Sequence, residues 1–293
     1  MIKDFVYLKP TTREEALSLL SQYKDECKVV AGGQSLLILM RQGLVTPKYL
    51  IDIKGLRDLN YIRLDPKEGL KIGATTTHRA IEKSLVIREK FSILAEMERK
   101  LASIQTRNWG TIGGNLCHGE PAGDPAPVLI ALKANLTLAN STRERRMAVE
   151  DFSLDYFETA LTKDELLLDI QVPFPTARTA TVFDKFTMIK NDMAIVSVAA
   201  SVTLSDDGAV CKDVRVVLGG AASTPRRAAR AEEILVGKKL DDALLEEVSQ
   251  KVSEQAEPVS DIHASEEYRR ELVKILTKRM VRKAWDQAKL LAG

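Results

Sequence analysis

Apolar positions recur along the chain at two spacings, and the switches between them outline the elements. DFVYL (4–8) is a short strand. Thr12 opens a T-x-x-E capping box with Glu15, and Ala16, Leu17 and Leu20 then form an apolar stripe, which predicts a helix. KVVA (28–31) is a strand, Gly32-Gly33 a turn, 35–42 a helix, and TPKYLIDI (46–53) a turn followed by a strand. The first 55 residues therefore predict a βαβαβ unit. YIRLD (61–65) and LKIGA (70–74) flank a Pro-Lys-Glu-Gly turn and predict a hairpin. Helices are expected from Thr77 to Lys83 and over 85–101. NWGTIGGNLCHGEPAGD (108–124) reads largely as loop because it is rich in glycine and turn residues. A helix over 125–134 starts near Pro125, LTLAN (136–140) is a strand, and 164–175 is a strand closed by prolines.

The texture changes near residue 176. Three β-rich runs follow, 179–189, 194–204 and 213–221, with an Asp206-Asp207-Gly208 turn between the second and third. After Thr224-Pro225 the pattern is helical: 226–236, 241–255 and 265–291. The last helix carries Tyr268, Leu272, Leu276, Met280 and Ala284 at i+4 spacing. The expectation is an α+β chain in three units: 1–55, 56–176 and 177–293.

Composition narrows the function classes. The 293 residues are 45% hydrophobic and 29% charged, ordinary for a globular protein. A formal net charge of +2 argues against a nucleic-acid partner. The basic stretches, 143–146 and 278–283, are broken by acidic or apolar residues and read as solvated faces. Cys27, Cys117 and Cys211 are far apart and form neither a zinc site nor the four-thiolate set of an iron–sulfur cluster. Widely spaced thiols and an N-terminus without an apolar signal core predict a cytoplasmic protein. No apolar run approaches the roughly 20 residues of a membrane helix.

The candidate chemistry begins at KVVAGGQSLLILMRQG (28–43). Strand, bare glycines and helix start let backbone N–H groups approach an anion closely. The stretch lacks the P-loop lysine and the third glycine of the dinucleotide fingerprint. A tight strand-to-helix turn with no ligand is an equal reading of this motif alone. Thr111-Ile112-Gly113-Gly114-Asn115 is a second bare double glycine, and the pair predicts a clamp on a pyrophosphate. Asp124 is a candidate acceptor for ribose or ribityl hydroxyls, or a turn former or helix cap. His78, His118 and His263 have no partner at metal-ligand spacing. His78 is expected to cap or orient the following helix, His118 to face solvent or, as the alternative, to reach a bound cofactor, and His263 to be structural.

VVAGGQSL (29–36) and RNWGTIGGNL (107–116) together resemble the two FAD-binding loops of the FAD-binding (medium) subunit of molybdenum hydroxylases, the carbon monoxide dehydrogenase and xanthine dehydrogenase family. GATTTHRAIE (73–82) and PVSDIHASEEYRRELVKIL (258–276) match further blocks, in order, across the whole chain. The resemblance implies a two-part vanillyl-alcohol-oxidase (PCMH-type) FAD-binding region, then a C-terminal domain of a three-stranded antiparallel sheet with helices. It implies that Val29, Val30, Ala31, Gly32, Gly33, Gln34, Ser35 and Leu36 wrap the FAD pyrophosphate. Gly110, Thr111, Ile112, Gly113, Gly114 and Asn115 would contact phosphate and ribityl, with Asp124 as the family aspartate. Leu101 and Leu167, plain core residues by pattern, would lie against the flavin, and Lys185 at its edge.

The implied role is electron transfer, with FAD as the cofactor on this chain and no catalytic side chain or metal of its own. Molybdopterin would sit on a large partner subunit and [2Fe-2S] clusters on a small one, in a dimer of heterotrimers. The outside acceptor would be NAD or a quinone. A free-standing flavin-dependent oxidoreductase of the same fold is the alternative.

Overall fold

The computed structural model describes residues 2–291. The end positions 1, 292 and 293 of the first and third expected units lie outside the described residues. The chain starts with β1 (Val6–Leu8), α1 (Arg13–Tyr23), β2 (Cys27–Val30), α2 (Leu36–Gln42) and β3 (Tyr49–Asp52), the expected βαβαβ order. The strands form a parallel sheet in the order β1-β3-β2, with Val30 opposite Asp52. Thr12 caps α1 by accepting from the Glu15 N–H, and the Glu15 carboxylate accepts from the Thr11 N–H. Ala16, Leu17 and Leu20 are buried against Ile51 and Ile53.

The second sheet is antiparallel, in the order β4 (Ile62–Asp65), β5 (Gly69–Gly73), β10 (Leu166–Val172), β6 (Asn135–Ala139), β7 (Glu144–Ala148). Between β5 and β6 run α3 (His78–Lys83), α4 (Leu85–Lys90), α5 (Ser92–Lys100), α6 (Ile104–Trp109), α7 (Ile112–His118) and α8 (Pro125–Ala131), and a small hairpin, β8 (Ser153–Asp155) with β9 (Glu158–Thr159), precedes β10. Here the structure corrects two expectations. The 85–101 helix is two helices broken at Phe91. Residues 108–124 are not mainly loop, because α6 ends and all of α7 lies within them. The 143–146 stretch is solvated as expected at Arg143, Glu144 and Arg146, and it enters the edge strand β7, where Arg145 grips the buried Glu165 through both Nε (2.7 Å) and Nη2 (2.8 Å). A bulge between Leu167 and Asp169 bends β10.

The third sheet comprises β11 (Thr179–Phe186), β12 (Val196–Leu204), β13 (Cys211–Gly219) and β14 (Arg226–Arg227), all antiparallel. It has four strands rather than three, since Arg226-Arg227 pairs with Leu218 and Val217 before the helical part begins. Then come α9 (Ala229–Leu235), α10 (Asp242–Gln255) and α11 (Glu266–Leu290). Leu272, Leu276, Met280 and Ala284 of α11 pack on one face of the sheet, whereas Tyr268 stays half-exposed, edge to face with Phe186. Phe183, Ala199 and Val217 on the other face join the core of the second sheet and its helices. Both faces of β12 are covered, so its nine residues are all buried and read as one apolar run.

Candidate functional site

A cleft of about 700 Å³ is lined by residues of all three units. Seventeen of the eighteen candidate residues line it: positions 29–36, 110, 111 and 113–115, with Leu101, Asp124, Leu167 and Lys185. Ile112 does not, because its side chain is fully buried in the core behind the second loop.

The two double glycines are alike in sequence and different in structure. In the first loop, Gly33 adopts φ +70°, a left-handed backbone that glycine reaches without strain. A Cβ on Gly32 would lie 2.2 Å from the Trp109 carbonyl oxygen and 2.7 Å from Gly110 Cα, so glycine is what lets the two loops touch. Among the described residues, the N–H groups of Gly32, Gly33, Gln34, Ser35 and Leu36 have no protein acceptor. They form a run of donors along the cleft wall.

In the second loop the glycines open α7. Thr111 is its N-cap, accepting from the Gly114 N–H at 3.1 Å. The Ile112 N–H donates to the Thr76 carbonyl and the Gly113 N–H to the Ala74 carbonyl. A Cβ on Gly113 would sit 2.6 Å from the Ala74 oxygen, while one on Gly114 would meet only Thr111 Oγ1, at 2.8 Å. The donors of this turn are thus already engaged, and its glycines serve close packing against the end of β5.

Asp124 precedes α8 but makes no capping hydrogen bond, so the helix-cap reading fails. Its Oδ2 accepts from Lys185 Nζ at 2.6 Å, and its buried Oδ1 has no partner among the described residues. Burial pushes the carboxyl up to about 6, against the pull of Lys185. Lys185, on β11, also donates to the Asp192 carbonyl at 2.8 Å. Leu101 ends α5, and Leu167 stands at the β10 bulge; both are buried and present apolar surface to the cleft.

Sequence reasoning missed one feature of this wall. His78 is 3% exposed, and its Nδ1 lies 3.0 Å from Oε1 of Glu98, which is fully buried on α5. The helix-capping role falls to Thr77, whose hydroxyl accepts from the Ala80 N–H. The two residues are twenty positions apart on different helices, and no spacing signal links them. His118 is half-buried rather than solvent-facing; it ends α7 and tilts against Phe157, with ring centroids 5.1 Å apart. Trp109 is largely exposed, with the Lys54 ammonium 5.1 Å over its ring.

Comparison with known proteins accounts for this architecture. Residues 3–175 match the family model for the FAD binding domain in molybdopterin dehydrogenase, and residues 181–284 that for the CO dehydrogenase flavoprotein C-terminal domain. The chain belongs to the family of FAD-binding subunits of molybdopterin dehydrogenases. Members of this family are oxidoreductase subunits, and the cofactor of the matched domain is FAD. The chain is similar to the glyceraldehyde dehydrogenase medium chain of Sulfolobus acidocaldarius, at 35% identity over 94% of this chain and 96% of that one. It is 31% identical to the carbon monoxide dehydrogenase medium chain of Afipia carboxidovorans, over 97% and 98%. Among solved structures it resembles a carbon monoxide dehydrogenase from Hydrogenophaga pseudoflava that lacks the Mo-pyranopterin moiety. That match has a TM-score of 0.94 at 30% identity and covers 98% of this chain and 99% of that one. Among the described residues no helix is long and apolar enough to cross a membrane.

Proposed function

We propose that the cleft holds one FAD and that the chain is the electron-transfer subunit of a molybdenum hydroxylase complex. The observation that carries this reading is the run of unengaged N–H groups from Gly32 to Leu36, facing a cleft that also holds the half-partnered Asp124. The FAD diphosphate rests on the first loop, whose donors are open to an anion. Thr111 and Asn115 add side-chain contacts from the second loop, whose N–H groups are engaged elsewhere. Asp124 Oδ1 accepts from a ribityl or ribose hydroxyl. Leu101 and Leu167 flank the flavin ring, and Lys185 stands at its edge. Bound FAD supplies the redox chemistry, and the chain supplies binding, orientation and exclusion of water. The units 1–55 and 56–176 form the two parts of the FAD-binding region, and 177–293 closes it.

The complex would carry [2Fe-2S] clusters on a small partner subunit, and NAD or a quinone would be the outside acceptor that the bound FAD serves. The molybdopterin sits on a large partner subunit, in a dimer of heterotrimers. Two observations support clusters on a partner: Cys27, Cys117 and Cys211 stand apart, and no group of three or more His, Cys, Asp or Glu is placed to hold a metal among the described residues. The medium-chain names of the relatives point the same way.

The test is co-expression with a molybdopterin subunit and an iron–sulfur subunit. The expected result is a stoichiometric complex whose flavin band bleaches when substrate is added. A chain that turns over a substrate by itself and assembles with neither subunit contradicts the proposal and favours the free-standing flavoenzyme.

A further inference from the structure

Glu98 is fully buried, and among the described residues its one hydrogen-bonded partner is His78 Nδ1. A carboxylate in that position is stable only beside a cation or a donor. The other cations nearby are committed. Lys100 on α5 pairs with Asp184 on β11, and Arg107 on α6 pairs with Glu82 on α3 and with the Leu101 and Ala102 carbonyls. Lys185 is held by Asp124. Asp124 feels the charges of both Glu98 and His78, so the four groups form one electrostatic cluster behind the cleft wall.

His78 is also anchored at the junction of the two loops. Its backbone N–H donates to the Gly110 carbonyl, and its ring packs against Gly110, with Cδ2 3.1 Å from where a Cβ on that glycine would be. With Nδ1 held by Glu98, the remaining ring nitrogen, Nε2, has no protein partner among the described residues, and the residue lines the cleft.

We infer that His78 is a cofactor-contacting residue that meets the diphosphate of the bound dinucleotide through Nε2, and that Glu98 is the positioning residue that fixes the ring from Nδ1. This rests on the FAD reading of the cleft.

The experiment is FAD titration of the deflavinated full chain, with ADP-ribose as a second diphosphate probe that carries no flavin. The apparent Kd of both is expected to rise about tenfold in His78→Ala and by a smaller factor in Glu98→Gln, with thermal unfolding of the FAD-free variants reporting the fold separately. In parallel, ¹⁵N-histidine NMR of the wild-type chain follows Nε2 of His78, one of only three histidines. Addition of FAD should shift that signal, and the shift should shrink in Glu98→Gln. A correctly folded His78→Ala variant that keeps the wild-type Kd, or an Nε2 signal unmoved by FAD, overturns the inference while leaving FAD binding intact. Failure of the wild-type chain to bind FAD overturns the parent reading instead.

Discussion

Lys185 Nζ donates to Asp124 Oδ2 at 2.6 Å, and both side chains are at most 5% exposed. The pair joins β11 of the third sheet to the start of α8, across the cleft. Lys185→Met leaves a buried carboxylate without its cation, which typically costs about 3–5 kcal/mol. Asp124→Asn leaves the buried ammonium without its anion and should also be destabilising, and the double variant should cost less than the sum of the two. Urea unfolding of the four proteins measures this, and simple additivity would show that the pair is not coupled.

Asp124 also sets a pH dependence. Its folded-state carboxyl is raised to about 6 by burial, so its contribution to stability is fully present below the unfolded carboxylate range and is lost as pH rises through 6. Glu165 has the opposite sign. The Arg145 side chain holds its carboxyl down at about 2, so that contribution is present above the unfolded range and lost as pH falls towards 2. Asp124→Asn should flatten the stability profile near pH 6, and Glu165→Gln should flatten its acid limb. Denaturation midpoints against pH check both.

The four loop glycines should rank by what a Cβ would meet. Gly32→Ala and Gly113→Ala drive a methyl into backbone at 2.2 and 2.6 Å and should cost about 1–3 kcal/mol or more. Gly33→Ala carries the strain of φ +70°, about 1–2 kcal/mol, and meets the movable Leu37 side chain. Gly114→Ala meets only the capping hydroxyl and should be the mildest. Thermal unfolding of the FAD-free variants gives the order, and Gly114→Ala ranking as the worst would contradict it.

These glycines also show what the sequence could and could not reveal. Both pairs are visible as motifs, and the βαβαβ order follows from local period and capping alone. That TIGGN opens a helix is hidden, because two glycines in a row favour loop by propensity. The helix is pinned by Thr111 as N-cap and by the Thr76 and Ala74 carbonyls, which come from more than thirty residues away. The β7 strand ERRMA is equally hidden, since its charges suit a solvated edge and its pairing with β6 is tertiary. Asp124 and Lys185 reach the site through a resemblance, not through any period in the chain. His78 and Glu98 meet because α3 packs on α5, which neither helix announces.

Thr111→Ala removes the N-cap of α7 and should cost about 1 kcal/mol, as N-cap deletions typically do. It also takes a hydroxyl from the cleft, so FAD affinity should fall with stability. Paired thermal and FAD-binding measurements separate the two effects. A variant with unchanged stability would show that the cap does not hold the helix.

The central claim is that this cleft is an FAD site. Its most direct test is titration of the deflavinated full chain with FAD, followed by flavin fluorescence and by thermal shift. The account predicts saturation at one FAD per chain. Stabilisation should reach about 2.7 kcal/mol when free FAD is a hundred times its Kd. Gly32→Ala should lose this binding. A correctly folded chain that neither retains FAD nor gains stability from it would contradict the account.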